Sequence, residues 1–185
     1  MKKVTVLILT TFSFLIYSCD FLIETSTIAD EYYPLKVGNK WYYNFDHPDT
    51  TVFNEIKEII GITVINNYRY YITVRYGLPP NSYSDTSYSR TQKGKLFIGY
   101  KRKIDGVISF NENLIADFSL NIGDTIRTNE YDYMTITNKF DNIIEINWRA
   151  DLWGRTKYQK GIGVIESITS NSVIHRRFLV KSELK

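Results

Sequence analysis

The chain has 185 residues, 43% of them hydrophobic and 23% charged, enough for one ordinary domain with a real core and too apolar for wholesale disorder. Its net charge of +3 falls to +1 once Lys2 and Lys3, which precede an apolar run, are set aside, so no global field is present to grip nucleic acid. One cysteine excludes an intrachain disulfide, a four-cysteine zinc site and an iron–sulfur cluster. Aromatics make up 15%, with 15 Tyr and 10 Phe against three Ala, a bias that favours strands over helices.

In chain order, Lys2-Lys3 form a positive leader to Val4–Tyr17, an uncharged and mostly apolar run of 14 residues. That length suits the core of a signal peptide and falls short of the ~20 residues a membrane-spanning helix needs. Ile16-Tyr17-Ser18-Cys19 follows. An aliphatic residue and then a small residue ahead of a Cys resemble the lipobox of bacterial lipoproteins, although Tyr17 stands where that pattern has a small residue. The resemblance implies a diacylglycerylated Cys19, loss of residues 1–18 as a signal peptide, and usually an acylated new N-terminus. An ordinary cleaved signal is the alternative. Asp20 retains such proteins in the inner membrane of some bacteria and not of others, so inner membrane, outer membrane and cell surface stay open. Residues 19–31 show no clear period and read as a lipidated tether.

From Tyr32 to Lys185 the pattern predicts a single β domain of short apolar stretches broken by turn residues. Tyr70, Ile72, Val74 and Tyr76 alternate with Arg69, Tyr71, Thr73 and Arg75; Ile144, Ile146 and Trp148 alternate with Glu145, Asn147 and Arg149. Ile174, Phe178, Val180 and Leu184 share a face opposite His175, Arg177 and Lys181, with Arg176 interrupting the set. Turn signals fall at Asp46–Asp49, Asn66-Asn67, Gly77–Ser82, Lys93-Gly94, Asp105-Gly106, Asp141-Asn142 and Ser170-Asn171. Asn54–Ile60 has helical spacing behind a candidate N-cap, but its flank Val52-Phe53 and the β-branched run to Ile65 favour a strand. The expected fold is all-β: an antiparallel meander of about nine to eleven strands forming a strongly curved sheet or barrel-like domain, after an N-terminal signal helix. Trp41, with Tyr43 and Phe45 on its side of the first strand, is expected in the core.

Tyr33-Pro34-Leu35-Lys36-Val37-Gly38-Asn39 matches Phe118-Ser119-Leu120-Asn121-Ile122-Gly123-Asp124 as aromatic-x-Leu-x-aliphatic-Gly-Asn/Asp. Duplication of two half-domains and convergence on a loop-to-strand signature both account for it. The stretch Tyr32–Tyr43 resembles the opening of the mature domain in uncharacterised bacterial lipoproteins, where Tyr-x-Pro-Leu-x-x-Gly-x-x-Trp-x-Tyr follows the lipidated Cys and a short tether. Leu114–Thr125 and Lys160–Ile165 are similar to two later blocks of the same proteins. The resemblance implies a secreted β-sheet domain and brings no activity or catalytic residues.

No constellation of catalytic groups stands out. Asp46, His47 and Asp49 could ligate a metal, but Asp46-His47-Pro48-Asp49 reads as a turn. It contains the His-Pro-Asp of J-domain co-chaperones without their flanking helices. His175 lies on an alternating strand, and Glu55 and Glu58 read as solvated strand residues. Gly161-x-Gly163 lacks the third glycine and the helix of a dinucleotide site. Lys101-Arg102-Lys103 reads as charge that discourages edge pairing rather than a nucleic-acid patch. Tyr68, Tyr70, Tyr71, Tyr76, Tyr83, Tyr88 and Tyr100 fit cross-strand packing, with a contact platform for glycan, peptide or lipid as the alternative.

The expectation is therefore a noncatalytic, lipid-anchored protein of the bacterial cell envelope, facing the periplasm or the cell surface and serving in binding or assembly. Its membrane contact runs through the anchor at Cys19, and its partner is an envelope protein, a glycan or a lipid, not nucleic acid. No cofactor and no metal are expected. The alternative is a carrier holding an apolar ligand or lipid inside the curved sheet. Small inward residues around an open concavity favour the carrier; an interior filled by Trp and Phe favours the scaffold.

Overall fold

The computed structural model describes residues 27–45, 53–79, 82–127, 132–149, 152–170 and 174–185. The signal segment, Cys19, Asp20 and the Asp46–Asp49 turn lie outside them. A short helix, α1 (Ile28–Tyr32), precedes a first run of strands: β1 (Lys40–Phe45), β2 (Glu55–Ile65), β3 (Tyr68–Gly77), β4 (Ser84–Gln92), β5 (Lys95–Ile104) and β6 (Val107–Asp117). A second run follows: β7 (Thr125–Arg127), β8 (Tyr133–Phe140), β9 (Ile143–Arg149), β10 (Trp153–Gln159), β11 (Gly163–Ser170) and β12 (Ile174–Glu183). The strands form one antiparallel sheet in the order β6-β5-β4-β3-β2-β1-β12-β11-β10-β9-β8-β7. The all-β expectation holds, with twelve strands among the described residues rather than nine to eleven, and Glu55–Ile60 belong to β2 rather than to a helix, with Asn54 in the bend before it. The sheet curls without closing: β6 and β7 are its two ends, and a seam lies between them.

The turn residues explain the meander. Asn66-Asn67 (φ 51° and 65°), Lys93-Gly94 (48° and 81°), Asp105-Gly106 (51° and 83°) and Asp141-Asn142 (47° and 65°) each place two successive residues at positive φ. Such two-residue turns match the right-handed twist of the strands they join, and Asn, Asp and Gly tolerate them best. Interruptions of register at Ile59/Gly61 in β2 and Ile136/Asn138 in β8 bend the sheet.

The repeated heptad marks two equivalent places. Each copy leads into the first strand of a six-strand meander. In the first, the Gly38 N–H donates to the Ile59 carbonyl (2.8 Å) and the Ile59 N–H to the Asn39 carbonyl (3.0 Å). In the second, the Gly123 N–H donates to Ile136 (2.8 Å) and the Ile136 N–H to Asp124 (3.3 Å). The bulges just named follow both. The halves join where β1 pairs with β12, Lys40 opposite Glu183; the counterpart pairing, β7 with β6, is the seam.

Both opening loops seal the same end of the curled sheet. The Phe118 N–H donates to Gly94 in the first half's β4–β5 turn, and the Gly161 N–H in the second half's β10–β11 turn donates to Glu31. Tyr32 stacks on Phe118 with ring centroids 5.5 Å apart. Ala29 in α1 is wholly buried, and Asp30 accepts from the Thr91 hydroxyl. Residues 27–31, expected to be the end of the tether, are thus packed against the sheet. The core proper gathers Trp41, Tyr43 and Ile59 with Leu96, Ile136, Ile144, Ile146 and Tyr158.

One alternating strand faces opposite to the simple expectation. Residues directly across antiparallel strands share a face, and Thr73 and Arg75 of β3 lie opposite Ile59 and Lys57 of β2, on the side of Trp41. The polar set of β3 therefore faces inward. Its apolar partner Tyr70 is buried on the outer face, against Phe110 (5.2 Å between ring centroids) and Arg90. Likewise Arg177 of β12 faces inward and Phe178 outward. The Ile144–Ile146–Trp148 face of β9 points inward as its apolarity predicts.

Candidate functional site

A cleft of about 730 Å3 lies inside the curled sheet, between β5 and β6 on one side of the seam and β8, β9 and β10 on the other. Its deep end is floored by Tyr33, Leu96, Tyr158 and Val164 beneath the sealing loops; Tyr100, Arg127, Tyr133 and Arg149 stand toward the opposite end. Ile98, Met134, Ile146 and Trp148 give it apolar walls. Trp148 owes its position to Gly154 on the neighbouring strand. A Cβ on Gly154 would meet the Trp148 ring at 2.2 Å and the Ile168 carbonyl at 2.6 Å, so only glycine lets the indole lie flat across β10.

The interior wall made by β2, β3, β4 and β12 is charged. Glu55, fully buried, takes Arg177 at 3.1 Å and Arg75 at 3.8 Å, and accepts from the Tyr83 hydroxyl. Arg75 also reaches Asp85 at 3.3 Å. Arg177 lies over the Tyr43 ring at 4.7 Å. Lys57, next inward residue on β2, donates to the Tyr33 hydroxyl and sits 4.8 Å from its ring centroid. Both Lys57 and Arg177 line the cleft. Burial raises the phenol pKa of Tyr43, Tyr100 and Tyr158, and burial with the Glu55 hydrogen bond pushes Tyr83 up to about 12. These hydroxyls are neutral donors near neutral pH.

The sequence-level candidates fare unevenly. Glu55 and Glu58 are not a pair: three residues apart on a strand, they point to opposite faces, and Glu58 meets Lys40 at 3.1 Å. His175 is exposed on β12. Asp46, His47 and Asp49 lie outside the described residues, among which no group of three His, Cys, Asp or Glu stands close enough to hold a metal. Lys101, Arg102 and Lys103 are exposed on a length of β5 that pairs with β6 and extends past its pairing with β4. The tyrosines divide between faces: Tyr71 faces inward, Tyr100 lines the cleft, and Tyr68, Tyr70 and Tyr88 lie outside, so they form no single platform. Arg90 completes that outer cluster, binding Glu112 through two nitrogens at 2.7 and 2.6 Å and lying 4.3 Å from the Tyr68 ring centroid.

Sequence reasoning passed over Lys57, Arg177 and the burial of Glu55. The available signal was slight: a charged residue at every second position of Glu55–Lys57 and a basic pair, Arg176-Arg177, breaking an apolar strand.

No protein-family model matches this chain, and no curated protein does. Two solved structures are similar in fold. One is a candidate exported protein with a YmcC-like fold from Bacteroides fragilis NCTC 9343, at 12% identity and a TM-score of 0.48, covering 83% of this chain and 99% of that one. The other is a candidate lipoprotein from Parabacteroides distasonis ATCC 8503, at 9% identity and a TM-score of 0.46, covering 82% of this chain and 98% of that one. These likenesses concern shape and assign no ligand or activity.

Proposed function

We propose that this is a noncatalytic, lipid-anchored protein of the bacterial cell envelope whose curled sheet binds a small or chain-like apolar ligand. The observation that carries the binding role is the cleft itself. Its volume of about 730 Å3 lies within the ~300–1,000 Å3 usual for small-molecule sites, and its mix of apolar walls and a few polar groups is theirs too. Trp41, Tyr43 and Phe118 fill the sealed end as a scaffold would, while the space beside the seam is left for an occupant. The anchor rests on the sequence: Lys2-Lys3, the apolar run and Ile16-Tyr17-Ser18-Cys19.

Phenylnaphthylamine, an uncharged fluorophore that brightens in apolar surroundings, tests the cleft. The chain should bind one equivalent. Ile98→Trp, which fills the space from a half-buried wall position, should abolish the signal while leaving the unfolding midpoint little changed. No binding, or equal binding by a folded Ile98→Trp variant, overturns the reading.

A further inference from the structure

We propose that the cleft recognises an amphiphile bearing one anionic headgroup, held at Lys57 with Arg177 beside it. This deepens the ligand-binding reading above and rests on it. Charge bookkeeping inside the sheet leads there. Of the cations on the inner wall beside the cleft, Arg177 and Arg75 share Glu55, and Arg75 has Asp85 as well. Arg69 and Arg102 share that face but are exposed, and Lys139, opposite Ile144, donates to the Phe118 carbonyl at 3.0 Å; none of these three lines the cleft. Lys57 makes no ion pair among the described residues: its ammonium donates to the Tyr33 hydroxyl and rests on that ring.

An ammonium half-buried against aromatic rings is poorly solvated, and an incoming anion improves its surroundings more than water does. The acids along the cleft do not answer it. Glu112 is engaged by two nitrogens of Arg90 on the outer face, and Asp132 stands toward the other end beside Arg127 and Arg149, which are exposed. Those two arginines, on the outward face at the ends of β7 and β9, add positive charge at that rim of the cleft.

The rest of the lining fixes the other part of the ligand. Leu96, Ile98, Met134, Ile146 and Trp148 offer an apolar channel that a headgroup alone would leave empty. An alkyl chain or a flat ring system fills it, with the anionic group at the Lys57 end. A carboxylate and a phosphate share this chemistry, and the test separates them.

The chain from Asp20 onward, which carries every element of the sheet, is loaded with phenylnaphthylamine and titrated with decanoate, decyl phosphate and decanol. At least one anion should displace the probe at about a tenfold lower concentration than decanol does, a difference of ~1.4 kcal/mol. The anion that does so names the headgroup. Lys57→Met should erase the preference without weakening decanol, and Lys57→Arg should keep most of it. Decanol matching both anions on the unmutated chain overturns the anionic-headgroup inference and leaves the apolar cleft standing. Failure of the probe and all three ligands to bind overturns both. A preference that survives in a folded Lys57→Met variant overturns the assignment to Lys57.

Discussion

Trp41 shows how much one side chain fixes. It is 2% exposed, stacks with Tyr33 at a centroid distance of 6.3 Å, and donates its indole N–H to the Ile162 carbonyl in the β10–β11 turn. Those contacts tie the first strand to the second half of the chain, and Gly163 leaves room for the ring: a Cβ there would lie 3.3 Å from the indole nitrogen. Trp41→Ala should cost about 3–5 kcal/mol in denaturant unfolding, as large aromatic deletions in cores do. A loss below about 1 kcal/mol would place the ring's contacts outside the cooperative core. Its burial was legible from the sequence, because Trp41, Tyr43 and Phe45 alternate directly after a glycine turn. Glu55 was not legible. A carboxylate in an alternating strand reads as solvated until Arg177, distant in the chain, is seen two strands away on the same inner wall.

At the scale of elements, local chemistry was the better guide. Asn66-Asn67, Lys93-Gly94, Asp105-Gly106 and Asp141-Asn142 were all legible as turns because each supplies residues that tolerate positive φ. The direction a strand faces was less legible. β3 alternates cleanly, yet its apolar set packs outward beneath Arg90, Phe97 and Phe110, because a second cluster on the outer surface competes with the core for Tyr70. Periodicity fixes that two faces differ and leaves open which one turns inward. Strand β10 carries the sharpest local test. Gly154→Ala drives a methyl group into Trp148, so Trp148 must move toward the cleft. The expected cost is about 1–3 kcal/mol of stability, with a weaker phenylnaphthylamine signal. An unchanged midpoint together with unchanged probe binding would mean that Trp148 does not form the cleft wall.

The whole molecule is a cup sealed at one end. The sealing loops carry α1, so the chain enters from the closed end. Thr27 lies eight positions after Cys19, at most about 29 Å of fully extended chain. An anchor at Cys19 therefore holds the sealed end near the membrane. Cys19→Ala should release the protein from membranes or leave a precursor with its signal uncut, followed by fractionation and by the size of the chain on a gel. Unchanged membrane association with unchanged size would remove the lipoprotein reading.

The sequence by itself determined the class of fold, the four two-residue turns at Asn66-Asn67, Lys93-Gly94, Asp105-Gly106 and Asp141-Asn142, the core position of Trp41 and the repeated heptad, because each depends on residues close together in the chain. Alternation, φ preference and the Gly-Asn/Asp loop signature are local properties. The equivalence of the two halves, the seam between β6 and β7, the sealed end and the charged inner wall were decided only in three dimensions. Each depends on which strands meet: β1 beside β12 brings Arg177 over Glu55, residues 122 apart in the chain, and the curl of the sheet sets Lys57 across an apolar cleft from Ile146 and Trp148. Nothing in the spacing of those residues announces that meeting, since the strand order that produces it is a property of the whole sheet.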